Sequence, residues 1–151
     1  MKPVLQEDRT GCGIASVAVL AQEKYRTVKH VAKQLGISTA DSRLWSDTRH
    51  IRTLLRRYGI GAAPAEEAFV SWESLPDRAL LAIKWHREKT GPAWHWVVFA
   101  RDEGGGFVLD SKRGLRSNRR TDFGRMKPRW FIRVGQSGRT SGSGRRDICR
   151  R

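Results

Sequence analysis

The chain has 151 residues, 38% of them hydrophobic and 30% charged: enough for one globular domain with a core, too short for two ordinary ones. No apolar stretch reaches the roughly 18 residues that span a bilayer. The start, Met1-Lys2-Pro3-Val4-Leu5-Gln6-Glu7-Asp8, lacks the apolar core of a secretory signal, so the expected compartment is the cytoplasm. The net charge of +15 is unevenly placed: residues 1–110 carry 16 Lys/Arg against 13 Asp/Glu, and residues 111–151 carry 14 against 2. A basic last third attracts nucleic acid, anionic lipid or an acidic protein, and charge alone does not choose among them. Two cysteines, Cys12 and Cys149, make no disulfide framework.

In chain order, residues 1–10 read as loop, with Pro3 opposing an early helix. From Cys12 to Tyr25 the sequence is Ala-rich and apolar nearly all round, the pattern of a helix buried in the domain centre. A second helix is predicted over Thr27 to Leu35, with Val28, Val31, Ala32 and Leu35 on one face and Gly36 as its stop. A third runs from Ser46 or Asp47 to Tyr58. Ile51, Leu54, Leu55 and Tyr58 face inward there, and Arg49, Arg52, Arg56 and Arg57 form a solvated face. Strands then follow at Ala79–Trp85, Trp94–Ala100, Phe107–Asp110 and Trp130–Val134. The polar Arg101–Gly106 segment is the turn of a hairpin over 95–110. Helices first and an antiparallel sheet afterwards make an α+β plan. From Gly135 the chain is Gly, Ser, Thr and Arg, the composition of a disordered tail. The expected organisation is a domain over 1–134 and a basic tail over 135–151.

The chemistry converges on four residues. A thiol attacks as its thiolate, and a helix N-terminus, where Cys12 stands, supplies partial positive charge and unpaired N–H groups. Gly11 and Gly13 on either side leave room for a substrate backbone. His95 opens one strand and Asp110 closes its antiparallel neighbour, so the turn brings them together, the carboxylate orienting the imidazole. Gln6, in the loop before Cys12, has a side-chain amide able to share an oxyanion hole with the Cys12 N–H. Each residue alone has a bland explanation: a small buried hydrophobe, a packed imidazole, a turn aspartate. Their order and their placement on elements agree on nucleophilic catalysis.

Gln6-Glu7-Asp8-Arg9-Thr10-Gly11-Cys12-Gly13-Ile14-Ala15-Ser16, followed far downstream by His95-Trp96-Val97-Val98 and Val108-Leu109-Asp110, resembles the C39 peptidases. These are papain-like domains best known at the N-terminus of bacteriocin-exporting ABC transporters. The resemblance covers about residues 3–134. It implies a papain-like fold with N-terminal helices packed on an antiparallel sheet. It implies Cys12 as nucleophile, His95 as general base and acid, Asp110 as the orienting carboxylate and Gln6 in the oxyanion hole. It also implies hydrolysis of a peptide substrate after a Gly-Gly pair in a leader, and association at the inner membrane face with a separate ABC transporter, since this chain has no transmembrane segment. Thiol and imidazole suffice for acyl transfer, so no metal or organic cofactor is expected. Ser111 stands where the family commonly has Pro, and the basic stretch from Lys112 to Arg133 is outside the family pattern.

His30, His50 and His86 have no ligand-like spacing, so no metal site is predicted. Trp94 and Trp96 flank His95 and, by strand alternation, point away from it, into the core or the wall of a cleft. Gly104-Gly105-Gly106 reads as a turn. The cations of residues 112–120 follow Asp110 directly and are either solubilising or a loop near the active site that favours acidic substrates or an anionic surface. Two alternatives stand beside the peptidase. One is a non-catalytic peptide- or nucleic-acid-binding module on a degenerate peptidase fold. The other is an acyltransferase using the same triad.

Overall fold

The computed structural model describes residues 1–137. Four helices come first: α1 (Cys12–Ala21), α2 (Tyr25–Gln34), α3 (Arg43–Ser46) and α4 (Arg49–Arg57). Seven strands follow among the described residues: β1 (Ile60–Ala62), β2 (Glu67–Ala68), β3 (Arg78–Glu88), β4 (Gly91–Asp102), β5 (Gly105–Leu109), β6 (Arg119–Arg120) and β7 (Pro128–Ser137). Among the described residues, no helix is long and apolar enough to cross a membrane.

α1 is buried from Cys12 through Leu20, as a helix apolar on every side must be. It stops earlier than predicted. The polar Gln22-Glu23-Lys24 run leaves the core, Gln22 turns left-handed (φ 58°), and the Glu23 N–H caps the Ala18 carbonyl at 2.9 Å. α2 buries Val28 and Ala32 as expected. Leu35, predicted on that face, is 41% exposed. The chain reverses at Gly36 (φ 81°), and the Ile37 N–H reaches back 2.8 Å to the Ala32 carbonyl, so Ile37 fills the core instead.

The third predicted helix is α4, and a short helix that was not predicted, α3, precedes it. α3 is a single turn that buries Leu44, and Asp47 then accepts from the Arg49 N–H at 2.8 Å to start α4. Ile51, Leu54 and Leu55 are buried as predicted. On the outer face, Arg52 is not simply solvated. Its guanidinium donates to the Ala63 carbonyl at 2.6 Å and pairs with Glu66 at 2.8 Å.

The sheet is antiparallel in the order β1-β7-β3-β4-β5-β6, and β2 also pairs with β7. The last strand is therefore laid inside the sheet, with Leu80 opposite Ile132 and Leu81 opposite Phe131. Alternation sends side chains to two cores. Trp94, Trp96, Val98, Leu80 and Ile132 pack with the helices. Leu81, Ile83, Val97, Phe99 and Phe131 pack on the other face with Leu75 and Met126. β4 begins four residues before His95, so the histidine lies inside the strand and not at its start. The β3–β4 hairpin runs on to Glu88 opposite Gly91, past a bulge between Ile83 and His86. At the far end Asp102 Oδ1 accepts from the Gly104 N–H at 2.8 Å, and Gly105 takes φ 111° to enter β5. Residues 135–137, predicted as the start of the tail, belong to β7. Residues 138–151, with Cys149, lie outside the described residues.

Candidate active site

Cys12 is the first residue of α1, 6% exposed. The chain before it is shaped by side chains. The Gly11 N–H bonds the Asp8 carbonyl at 3.0 Å, and Asp8 itself accepts from the Tyr25 hydroxyl at 2.6 Å. The flanking glycines do not open onto a cleft, as the sequence suggested. A Cβ on Gly11 would collide with the Tyr25 hydroxyl, and one on Gly13 would lie 2.6 Å from Ile51 Cδ1. Their smallness lets α1 sit against α2 and α4.

β4 crosses the start of α1, and the Trp96 N–H donates to Cys12 Sγ at 3.4 Å. The Trp96 indole donates to the Leu44 carbonyl at 2.8 Å, which ties α3 to the same strand. Both neighbouring tryptophans enter the helix-side core, and Trp94 also lines a cleft at the site. The two expectations for them thus hold together.

His95 and Asp110 meet as the hairpin argument requires. His95 Nε2 lies 2.7 Å from Asp110 Oδ1, and Asp110 is fully buried immediately after β5. With Nε2 so engaged, Nδ1 is the ring atom left free for the Cys12 thiol. Burial by itself disfavours the imidazolium. The bond to Asp110, with the neighbouring Cys12, outweighs it and raises His95 from 6.5 to about 9. For Asp110 burial likewise opposes charge. His95, the Lys112 N–H and Arg120 overcome it and hold the carboxyl at about 2.

Arg120 is one of the cations of residues 112–120, and no bond to Asp110 is predicted for it from the sequence. Its Nη1 donates to Asp110 Oδ2 at 2.8 Å, while Nε and Nη2 grip Asp122 at 2.9 and 2.7 Å. The Lys112 N–H donates to Asp110 Oδ1 at 3.0 Å. Asn118 closes the intervening loop, donating to the carbonyls of Asp110 (2.6 Å) and Lys112 (2.9 Å). Arg120 is one of many arginines in a basic run, and only β6 lying beside β5 marks it out.

Gln6 reaches the site and is buried. Its Nε2 donates to the carbonyls of Asp8 (3.0 Å) and Arg9 (2.9 Å), and its Oε1 accepts from Ser111 Oγ at 2.8 Å. Both amide hydrogens are thus engaged by the loop that leads into Cys12. A cleft of about 550 Å3 meets the site at Gln6, Trp94 and His95. Among the described residues no group of three His, Cys, Asp or Glu side chains gathers as metal ligands would.

No family model and no curated protein sequence matches this chain. Among solved structures it is similar to a double-glycine-motif protease from an AMS/PCAT transporter, determined in complex with the leader peptide. The TM-score is 0.54 at 19% identity, over 87% of this chain and 89% of that one. The chain therefore has the papain-like α+β fold of that protease, helices packed on an antiparallel sheet, as the sequence resemblance predicted.

Proposed function

We propose that the protein is a cysteine peptidase with Cys12 as nucleophile, His95 as general base and acid, and Asp110 as orienting carboxylate. The observation that carries this reading is one continuous chain of contacts. It runs from a thiol at a helix N-terminus, held at 3.4 Å by the N–H of the residue after His95, to an imidazole whose Nε2 lies 2.7 Å from a buried carboxylate. A structural cysteine needs no such partners.

In this mechanism the Cys12 proton passes to His95 Nδ1. His95 favours its charged form, so it holds that proton while the sulfur attacks. Sγ attacks the peptide carbonyl carbon, and the carbonyl π pair moves to oxygen. The Cys12 N–H, which as the first of its helix has no intrahelical acceptor, receives that oxyanion. Gln6 Nε2 gives the second donor by releasing one of its two loop carbonyls. As the tetrahedral species collapses, the C–N bond breaks and His95 protonates the departing amine. Water, deprotonated by His95, then attacks the thioester, which frees the carboxylic acid and restores the thiol.

The structural likeness to a double-glycine-motif protease supports a leader-type peptide as substrate, cut after Gly-Gly, and a separate transporter as partner. The test uses the full chain with Cys149→Ser and a synthetic peptide with a central Gly-Gly pair, read by mass spectrometry. We expect cleavage after the second glycine, lost with Cys12→Ala and reduced by about 10³-fold or more with His95→Ala. A thiol whose alkylation ignores His95→Ala, in a chain that cleaves no peptide, would replace this reading with the non-catalytic binding module. Products joined to an added amine would assign the acyltransferase.

A further inference from the structure

The cleft that meets His95 is lined by four cations, Arg9, Lys84, Lys112 and Arg113, and by two carboxylates, Glu7 and Asp8. The carboxylates are already matched. Glu7 pairs with Arg26 at 3.0 Å, and Asp8 pairs with Lys29 at 3.0 Å while accepting from the Tyr25 hydroxyl. None of the four cations forms an ion pair with a described residue, and all four side chains are exposed.

Their placement is built by the backbone around the site. Lys112 and Arg113 sit on the loop clipped by Asn118. The Lys112 N–H holds Asp110 Oδ1, and Arg113 Nε donates to the Gln6 carbonyl at 2.8 Å, which leaves its two terminal nitrogens unengaged. Lys84 stands at the β3 bulge, directly after Ile83, the residue opposite His95. It takes φ 54°, a left-handed conformation that a lysine adopts only against a steric cost. Two separate elements thus bring unpaired positive charge to the same histidine.

We propose that this cleft selects peptides carrying carboxylate side chains beside the bond that is cut, with Lys84, Lys112 and Arg113 as the specificity-determining cations. The proposal rests on the peptidase reading and names its substrate class. A cleft of about 550 Å3 walled on one side by Trp94 suits a few residues of extended chain and is too small for a duplex. An acidic peptide, rather than nucleic acid, is therefore the polyanion it fits. Cations unpaired within the protein attract such a chain over about a Debye length, roughly 10 Å at 0.1 M salt, and pair with it at the surface.

Two matched decapeptides test this, each with a central Gly-Gly pair, one with two Glu on each side and the other with Gln in their place. Both are measured on the full chain with Cys149→Ser. We expect kcat/KM for the acidic peptide to be about threefold to tenfold higher, since two or three exposed pairs at a few tenths to one kcal/mol each give that factor. The ratio should shrink between 0.05 and 0.5 M salt and approach one in K84Q/K112Q. Equal values for the two peptides, with Cys12-dependent turnover intact, overturn the proposal and leave the peptidase standing. Binding of fluorescein-labelled copies to Cys12→Ala separates the two ideas. Acid-selective binding by a protein that never cleaves removes the peptidase reading but keeps the cleft. A single-stranded oligonucleotide that displaces the acidic peptide at lower concentration than the peptide itself overturns the assignment in favour of nucleic acid.

Discussion

At the scale of residues, His95 is where pH will act. Its value is raised from 6.5 to about 9 in the folded protein. Its contribution to stability is therefore whole below about 6.5 and is lost as pH rises through about 9. The imidazolium that would protonate a leaving amine disappears over the same window. Turnover should fall with an apparent value near 9, and the melting-temperature difference between wild type and His95→Gln should vanish there. Asp110 has the opposite sign. Its carboxyl is held at about 2 against 3.8, so its contribution is present above 3.8 and fades as pH falls through about 2. Arg120 is one of the groups that hold it there. Arg120→Met should lower unfolding stability by about 1.5–3 kcal/mol, the worth of a hydrogen bond to a charged group. It should also raise the acid limb and, by leaving His95 as the only cation on Asp110, push the alkaline limb upward. Lysine at this position restores the charge but not the fork that grips Asp110 and Asp122 together, so rescue should be partial. An unchanged pH profile in Arg120→Met would mean that the guanidinium has no influence on the dyad.

At the scale of elements, the start of α1 depends on absent side chains. Gly11 is pressed against the Tyr25 hydroxyl of α2, and the same hydroxyl holds Asp8 in the loop that leads to Cys12. Gly11→Ala should cost about 1–3 kcal/mol by overpacking, measured as a shift in the denaturant midpoint. Tyr25→Phe removes the nearest clashing atom, so the double variant should be more stable than the sum of the two single losses implies. Additive losses would show that the contact between the two helices is not the source of the cost.

For the whole molecule, β7 is the seam. It pairs with β1, β2 and β3, and its successive residues Phe131 and Ile132 face the two different cores. Cutting into either core should therefore weaken the same folding unit. Ile132→Ala should cost about 2–5 kcal/mol and Phe131→Ala about 3–5 kcal/mol. In both variants, tryptophan fluorescence and far-UV circular dichroism should report one coincident transition. Separated transitions would show that the loop-covered face of the sheet melts independently of the helical face.

Periodicity and composition determined a good deal of this protein. The buried character of α1 and the inward faces of α2 and α4 are visible in their apolar spacing, because each repeats over several turns. The hairpin that joins His95 to Asp110 is visible in its strand propensities and glycine turn, because the partners are close in sequence. β1, β2 and β6 were not legible, since two or three residues carry no period and exist only because a neighbouring strand offers hydrogen bonds. Only the tertiary structure decided that β7 returns to the middle of the sheet, that Gly11 makes room for a tyrosine, and that Ser111 and the loop carbonyls hold the Gln6 amide. It also decided that Arg120, out of a run of arginines, is the one placed on Asp110. Each of these pairs residues far apart in the chain or picks one of several chemically equal side chains, and local sequence patterns register neither.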